Sequence, residues 1–127
     1  MSLINIPTSK DIYIEVNCEK IAVAQSYFAK TIRESKYIEA FGQDEPVATV
    51  GGRINHTLTL SRVMVSKGAI GDKIDFYNLS DFNVVIVKPN SKIIYTGCEW
   101  ADIDQSVNLN QCFIEKVTIV AAKRMEI

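Results

Sequence analysis

The sequence predicts a mainly β protein: a small β-sandwich or barrel of six or seven strands with one short flanking helix. Three observations predict it. Apolar and polar residues alternate with a period of two over several separate runs. Turn-forming residues separate those runs at short spacing. The chain has 127 residues, 47% hydrophobic and 23% charged, which suits one core and one domain. A domain of this size removes about two-thirds of its unfolded-chain surface from water. Residues 1–127 therefore read as a single domain. Residues 1–10 form an irregular N-terminal arm ending in Pro7-Thr8-Ser9.

The first strand is carried by Ile12, Ile14 and Val16, alternating with Tyr13 and Glu15. Asn17-Cys18-Glu19-Lys20 reads as a turn. A second strand starts with Ile21 and Val23 and runs on through Tyr27-Phe28 to Ile32. The same stretch also admits a helix, and the preceding turn favours a hairpin. Residues 34–52 differ in kind. Pro46 and the glycines Gly42, Gly51 and Gly52 oppose a continuous regular element, yet Phe41, Val47 and Val50 are apolar. A long excursion that is not simply polar usually has a role.

The clearest strand covers residues 53–65. Ile54, His56, Leu58 and Leu60 share one face; Asn55, Thr57, Thr59 and Ser61 share the other. After Arg62 the apolar face switches to Val63 and Val65, which predicts a bulge near Ser61-Arg62. A short helix with Asp72 near its start is expected around Ile74 and Tyr77. Residues 82–87 form an apolar run typical of a buried strand. Lys88-Pro89-Asn90-Ser91 turns the chain into a partner strand from Lys92, which extends past Trp100 on the parity of Ile103, Val107 and Leu109. A turn at 108–110 leads to a last strand over 113–122.

Composition narrows the function. The 14 basic and 15 acidic residues give a net charge of −1, and no Lys/Arg cluster exists. Nucleic-acid binding normally needs a basic excess to displace counterions, so none is expected. No apolar run reaches the length of a membrane helix, and residues 1–7 lack the pattern of a signal peptide, so synthesis in the bacterial cytoplasm is expected. Cys18, Cys98 and Cys112 include no C-x-x-C pair and read as reduced thiols; a Cys98–Cys112 disulfide is the one alternative.

No catalytic motif stands out. His56 is the single histidine and has no second histidine to share a metal. Gly51-Gly52 lacks the Lys-Ser/Thr of a phosphate loop. Glu99, Asp102 and Asp104 fail the EF-hand spacing and read as solvated strand-edge carboxylates. No cofactor, metal or enzymatic activity is therefore expected. That favours a binding or structural protein.

The order of features resembles the tail-tube proteins of contractile phages and of phage-like prophage particles and related bacteriocins in Gram-positive bacteria. The resemblance covers roughly residues 12–122. It rests on a strand hairpin, a glycine-bounded excursion, Gly52-Arg53, and a strand of alternating Thr and Leu. The segment Ile94-Tyr95-Thr96-Gly97-Cys98-Glu99-Trp100-Ala101-Asp102-Ile103 and the closing Glu115-Lys116-Val117-Thr118-Ile119 add to it, with Gly97-Cys98 the sharpest mark. The resemblance implies a subunit of a contractile injection system. Six copies would join their sheets into a homohexameric ring, and rings would stack into a hollow tube beside sheath or baseplate subunits. It also implies that the excursion reaches a neighbouring ring, making Phe41, Asp44, Glu45, Pro46, Val47 and Val50 subunit-interface residues. The segment before Phe82 is shorter than in typical tube proteins, which points to a relative with the same fold: a tube initiator, or a baseplate or adaptor protein near the tube's end. A monomeric β-barrel binding a small apolar ligand is the alternative from a different class.

Overall fold

A computed structural model describes residues 12–65, 76–108 and 111–127. The N-terminal arm expected at 1–10 lies outside the described residues.

The described residues form ten strands: β1 (Ile12–Val16), β2 (Glu19–Val23), β3 (Ser26–Arg33), β4 (Lys36–Ile38), β5 (Ala48–Val50), β6 (Ile54–Val65), β7 (Phe82–Val87), β8 (Lys92–Asn108), β9 (Gln111–Ala121) and β10 (Lys123–Glu126). Six of them close on themselves in the order β1, β2, β6, β9, β8, β7 and back to β1, all antiparallel. The fold class is therefore mainly β, a closed six-strand barrel with extra strands. Closure gives each of these strands a partner on both sides, which removes the edge problem of an open sheet.

The first hairpin turns on Asn17 and Cys18, both at positive φ (53° and 67°). Two such residues are what a type I′ turn requires, and that turn matches the natural twist of the flanking strands. The β1–β2 register then slips by one between Ile14 and Glu15. The slip leaves an extra residue in β2, so Ile21 and Ala22 are consecutive and both buried.

The interior is one continuous apolar cluster. Ile14, Ile21, Leu58, Leu60, Phe82, Val84, Val117 and Ile119 within it are fully buried. No buried polar or charged residue interrupts it among the described residues. The predicted face switch in the long strand is present: Leu58 and Leu60 point inward, and so does Val63. Its cause differs from expectation. Pairing of β6 with β9 is one-for-one across the switch, from Leu60↔Val117 to Val63↔Ile114, so no residue is inserted. Arg62 instead adopts a left-handed conformation at φ 53°. On β9 the buried side switches at the same level, between Ile114 and Val117, with Glu115 and Lys116 both exposed.

A true bulge sits on β8. Phe82 pairs with Cys98, but Val84 pairs with Tyr95, so Thr96 and Gly97 together face one residue of β7. Gly97 has φ 62°. A Cβ there would also come within 2.8 Å of the Ala122 Cβ, where the chain passes from β9 to β10. Glycine is required on both counts. The bulge moves the inward face of β8 from Ile93 and Tyr95 to Cys98.

The short helix expected around Ile74 and Tyr77 is corrected among the described residues to a single 3-10 turn, Phe76–Asn78. Asp72 and Ile74 lie outside them. The turn is pinned by packing and not by helical propensity: Phe76 stacks edge-on with Phe82 at 6.2 Å, and the Trp100 indole N–H donates to the Tyr77 carbonyl at 3.2 Å.

The Gly97→Ala variant is expected to lower the unfolding free energy by about 1–3 kcal/mol, combining the left-handed backbone cost with the clash on Ala122. Urea denaturation reads it as a lower midpoint at unchanged slope. Adding Ala122→Gly removes only the clash, so recovery is expected to be partial.

Candidate functional site

The barrel consumes most of the chain's apolar residues but not those of one segment. Every residue from Gln25 to Asn55 is exposed. This segment is a single long hairpin. Its lower part is β3 paired with β6, from Ser26↔Ser61 to Arg33↔Ile54. The Glu34 N–H donates to the Arg53 carbonyl at 2.8 Å and carries the ladder upward. The upper part is β4 paired with β5, from Lys36↔Val50 to Ile38↔Ala48.

The excursion expected to be irregular at 34–52 is thus a hairpin arm. What the glycines do is make its neck. Three residues, Gly51 to Arg53, stand opposite Glu34 and Ser35, so the register shifts by one there. A Cβ on Gly52 would run into the Glu34 carbonyl, so only glycine lets the two chains pass this closely. The tip is tied by Val47 N–H to the Ile38 carbonyl at 2.9 Å and by Gln43 N–H to the Ala40 carbonyl at 3.2 Å.

Phe41, Asp44, Glu45, Pro46, Val47 and Val50 all fall on this arm, and all six are exposed. Phe41 at the tip is fully exposed, and Val47 keeps 57% of its surface. Sequence reasoning missed other apolar residues of the same hairpin: Tyr37 is 71% exposed and Phe28 67%, with Ile32, Ile38 and Ile54 near half. Period-two alternation marks them as strand residues, but alternation cannot tell a face that meets the core from one that meets solvent. A two-stranded ribbon that buries neither face is marginal alone. Exposed apolar side chains gathered on such an element make it a candidate interaction surface.

Two strands outside the barrel ring end the sheet. Among the described residues, β3 pairs only with β6, and β10 pairs only with β8. β10, which lies beyond the last strand expected at 113–122, is separated from β9 at Ala122, whose N–H donates to the Thr96 carbonyl at 3.0 Å. Each leaves a row of unpaired backbone groups.

At the base of the arm lies an open groove of about 510 Å³ between the β3–β6 ribbon and the β7–β8 hairpin with β10. Tyr27, Ile54, His56, Lys88, Tyr95 and Arg124 line it. His56 is half-buried, meets Tyr95 edge-on at 6.0 Å, and its Nδ1 lies 3.1 Å from Thr31 Oγ1 on the facing strand. These contacts fix the ring between β3 and β8. No cluster of three metal-ligating side chains exists among the described residues. Glu99, Asp102 and Asp104 are exposed on β8; Glu99 accepts the Asp81 N–H at 2.9 Å, and Asp104 stands opposite Lys116.

Of the cysteines, Cys18 is exposed in the first turn and Cys98 is buried as a free thiol. The Cys112 side chain lies outside what the structure describes. Cys98 donates to the Tyr95 carbonyl at 3.3 Å. Burial pushes its thiol from an ordinary value of 9.0 up to about 12.

No family model matches the chain, and no curated protein matches it. Among solved structures it is similar to the tube-terminating cap of an anti-feeding prophage determined by cryo-EM. The TM-score is 0.48 with 14% identity, over 100% of this chain and 95% of that one. A likeness of that degree carries no functional inference.

The Cys98 thiol has a folded-state pKa above its unfolded one, so the folded form holds the proton longer. Its contribution is intact below about pH 9 and is lost as pH rises toward about 12. Stability is expected to fall across that window with a slope of up to about 1.4 kcal/mol per pH unit. Chemical denaturation at stepped pH checks it, and Cys98→Ala is expected to flatten the slope.

Proposed function

We infer that this chain is a structural subunit of a phage tail or phage-tail-like contractile particle, a tube or tube-initiator protein that assembles into hexameric rings. The observation that carries the reading is the hairpin arm: about thirty consecutive exposed residues, rich in apolar side chains, on an otherwise well-packed barrel. An isolated monomer gains nothing from such an element. A subunit with neighbours gains an interface.

The free edges support the same reading. β3 and β10 are different surfaces, so pairing one with the other is heterologous, and heterologous contacts give rings when the rotation closes. The sequence pattern supplies the particle: the strand order, the glycine-bounded arm and Gly97-Cys98 all resemble tail-tube proteins. Phe41, Asp44, Glu45, Pro46, Val47 and Val50 act as contacts to a neighbouring subunit in this reading. The role needs no cofactor, membrane or nucleic acid, and the neighbouring proteins are tube, sheath or baseplate subunits. Assembly follows synthesis in the bacterial cytoplasm.

Native mass spectrometry and negative-stain electron microscopy of the purified chain test it. Concentration-dependent hexamers, rings or short tubes are expected. Replacing residues 36–50 by an Asn-Gly turn is expected to leave the melting temperature within a few degrees and abolish stacking. A wild-type chain that stays monomeric at every concentration sinks the reading. So does an arm-less variant that stacks unchanged.

A further inference from the structure

We propose that the acidic tip of the arm seats in the groove at the base of the arm of a second copy. This rests on the assembly reading above and gives it a receptor surface.

The two surfaces are complementary in charge. The tip carries Glu39, Asp44 and Glu45, and no Lys, Arg or His occurs from Tyr37 to Gly52. The groove is lined by Lys88, Arg124 and His56, and by no carboxylate. Glu126 offsets part of this by pairing with Arg124 at 3.3 Å, an exposed contact of little energetic weight. Lys88 pairs with no carboxylate among the described residues.

They are also complementary in apolar character. Phe41 projects fully into solvent at the tip. The groove presents the rings of Tyr27 and half-buried His56 with the aliphatic side chain of Ile54, above the buried Tyr95 ring. An aromatic ring entering there gains edge or stacking contacts beyond the area it buries. The acids flanking Phe41 then meet the cations on the rim.

The occupant is another copy for a geometric reason. Ile54 belongs both to the groove wall and to the base of the arm. Ile38 lies five positions beyond Arg33, so the extended hairpin carries the tip roughly 15 Å away from its own groove. The tip of one copy in the groove of the next is a heterologous contact repeated by translation along the arm. Such a contact propagates copies in one direction, as stacking requires.

Reciprocal charge reversal tests the proposal. The tip variant is Asp44→Lys with Glu45→Lys; the groove variant is Lys88→Glu with Arg124→Glu. All four positions are exposed, so both variants are expected to stay folded, with unchanged circular dichroism and melting temperatures near wild type. Sedimentation velocity is expected to show wild-type self-association weakening with salt. Each variant alone is expected to lose at least tenfold in association. An equimolar mixture is expected to recover it, because each reversed surface then meets its match. If wild type associates but either variant does so equally well, or the mixture recovers nothing, the groove is not the receptor and the assembly reading stands without it. A monomeric wild type overturns both.

Discussion

Backbone hydrogen bonding around the barrel ring is the constraint from which the rest of the molecule follows. Each strand of the ring must find a donor–acceptor row on both sides, and β1 does so by lying between β2 and β7, far apart in sequence. Once the ring is closed, the interior has a fixed number of inward positions. They are taken by aliphatic side chains that reach full burial. Whatever apolar residues remain must lie outside. The exposed hairpin is the complement of a core already full.

Closing six strands into so small a ring demands local distortion, and this chain uses two kinds. Extra residues bend β2 and β8, where Ile21-Ala22 and Thr96-Gly97 stand against single partners. A left-handed residue, Arg62, turns β6 without any insertion. The second kind leaves the register intact, which matters because β6 is paired on both sides: with β9 along one edge, and with β2 and then β3 along the other. A slip there would have to be absorbed by two neighbouring ladders at once.

Much of this was legible in the sequence. The alternation of Ile54 to Leu60, the parity change after Arg62, the run from Phe82 to Val87 and the extension past Trp100 all follow from side chains taking turns across a pleat. What was not legible has a common cause. Gly51-Gly52 and Pro46 read as breakers, yet a two-stranded ladder tolerates them at its neck and beyond its end, so the arm was expected to lack regular structure. β10 was not foreseen, because Ala122 is neither a glycine nor a proline and marks no turn; the strand begins where Ala122 lies against Gly97 of the β8 bulge and donates to the Thr96 carbonyl. The arm contacts were named from a family pattern, while Phe28, Ile32 and Tyr37 were passed over. Exposure is a property of the fold, and no periodicity encodes it.

The hairpin and the barrel differ in one more respect, the distance along the chain between their paired residues. β3, β4, β5 and β6 meet through a continuous local turn, whereas β1 waits for β7 some seventy residues later. Local hairpins form in about 1–10 μs, and non-local ladders are slower because loop entropy must be paid first. Pairing within the ribbon is therefore faster than closure of the body that carries it. During synthesis the order is stricter still, since β7, β8 and β9 leave the ribosome after the arm. For this chain, the moment of greatest risk is early in its life, when an exposed apolar arm is attached to an unfinished barrel. Glu39, Asp44 and Glu45 flank Phe41 there, and like charges oppose direct contact between two such tips.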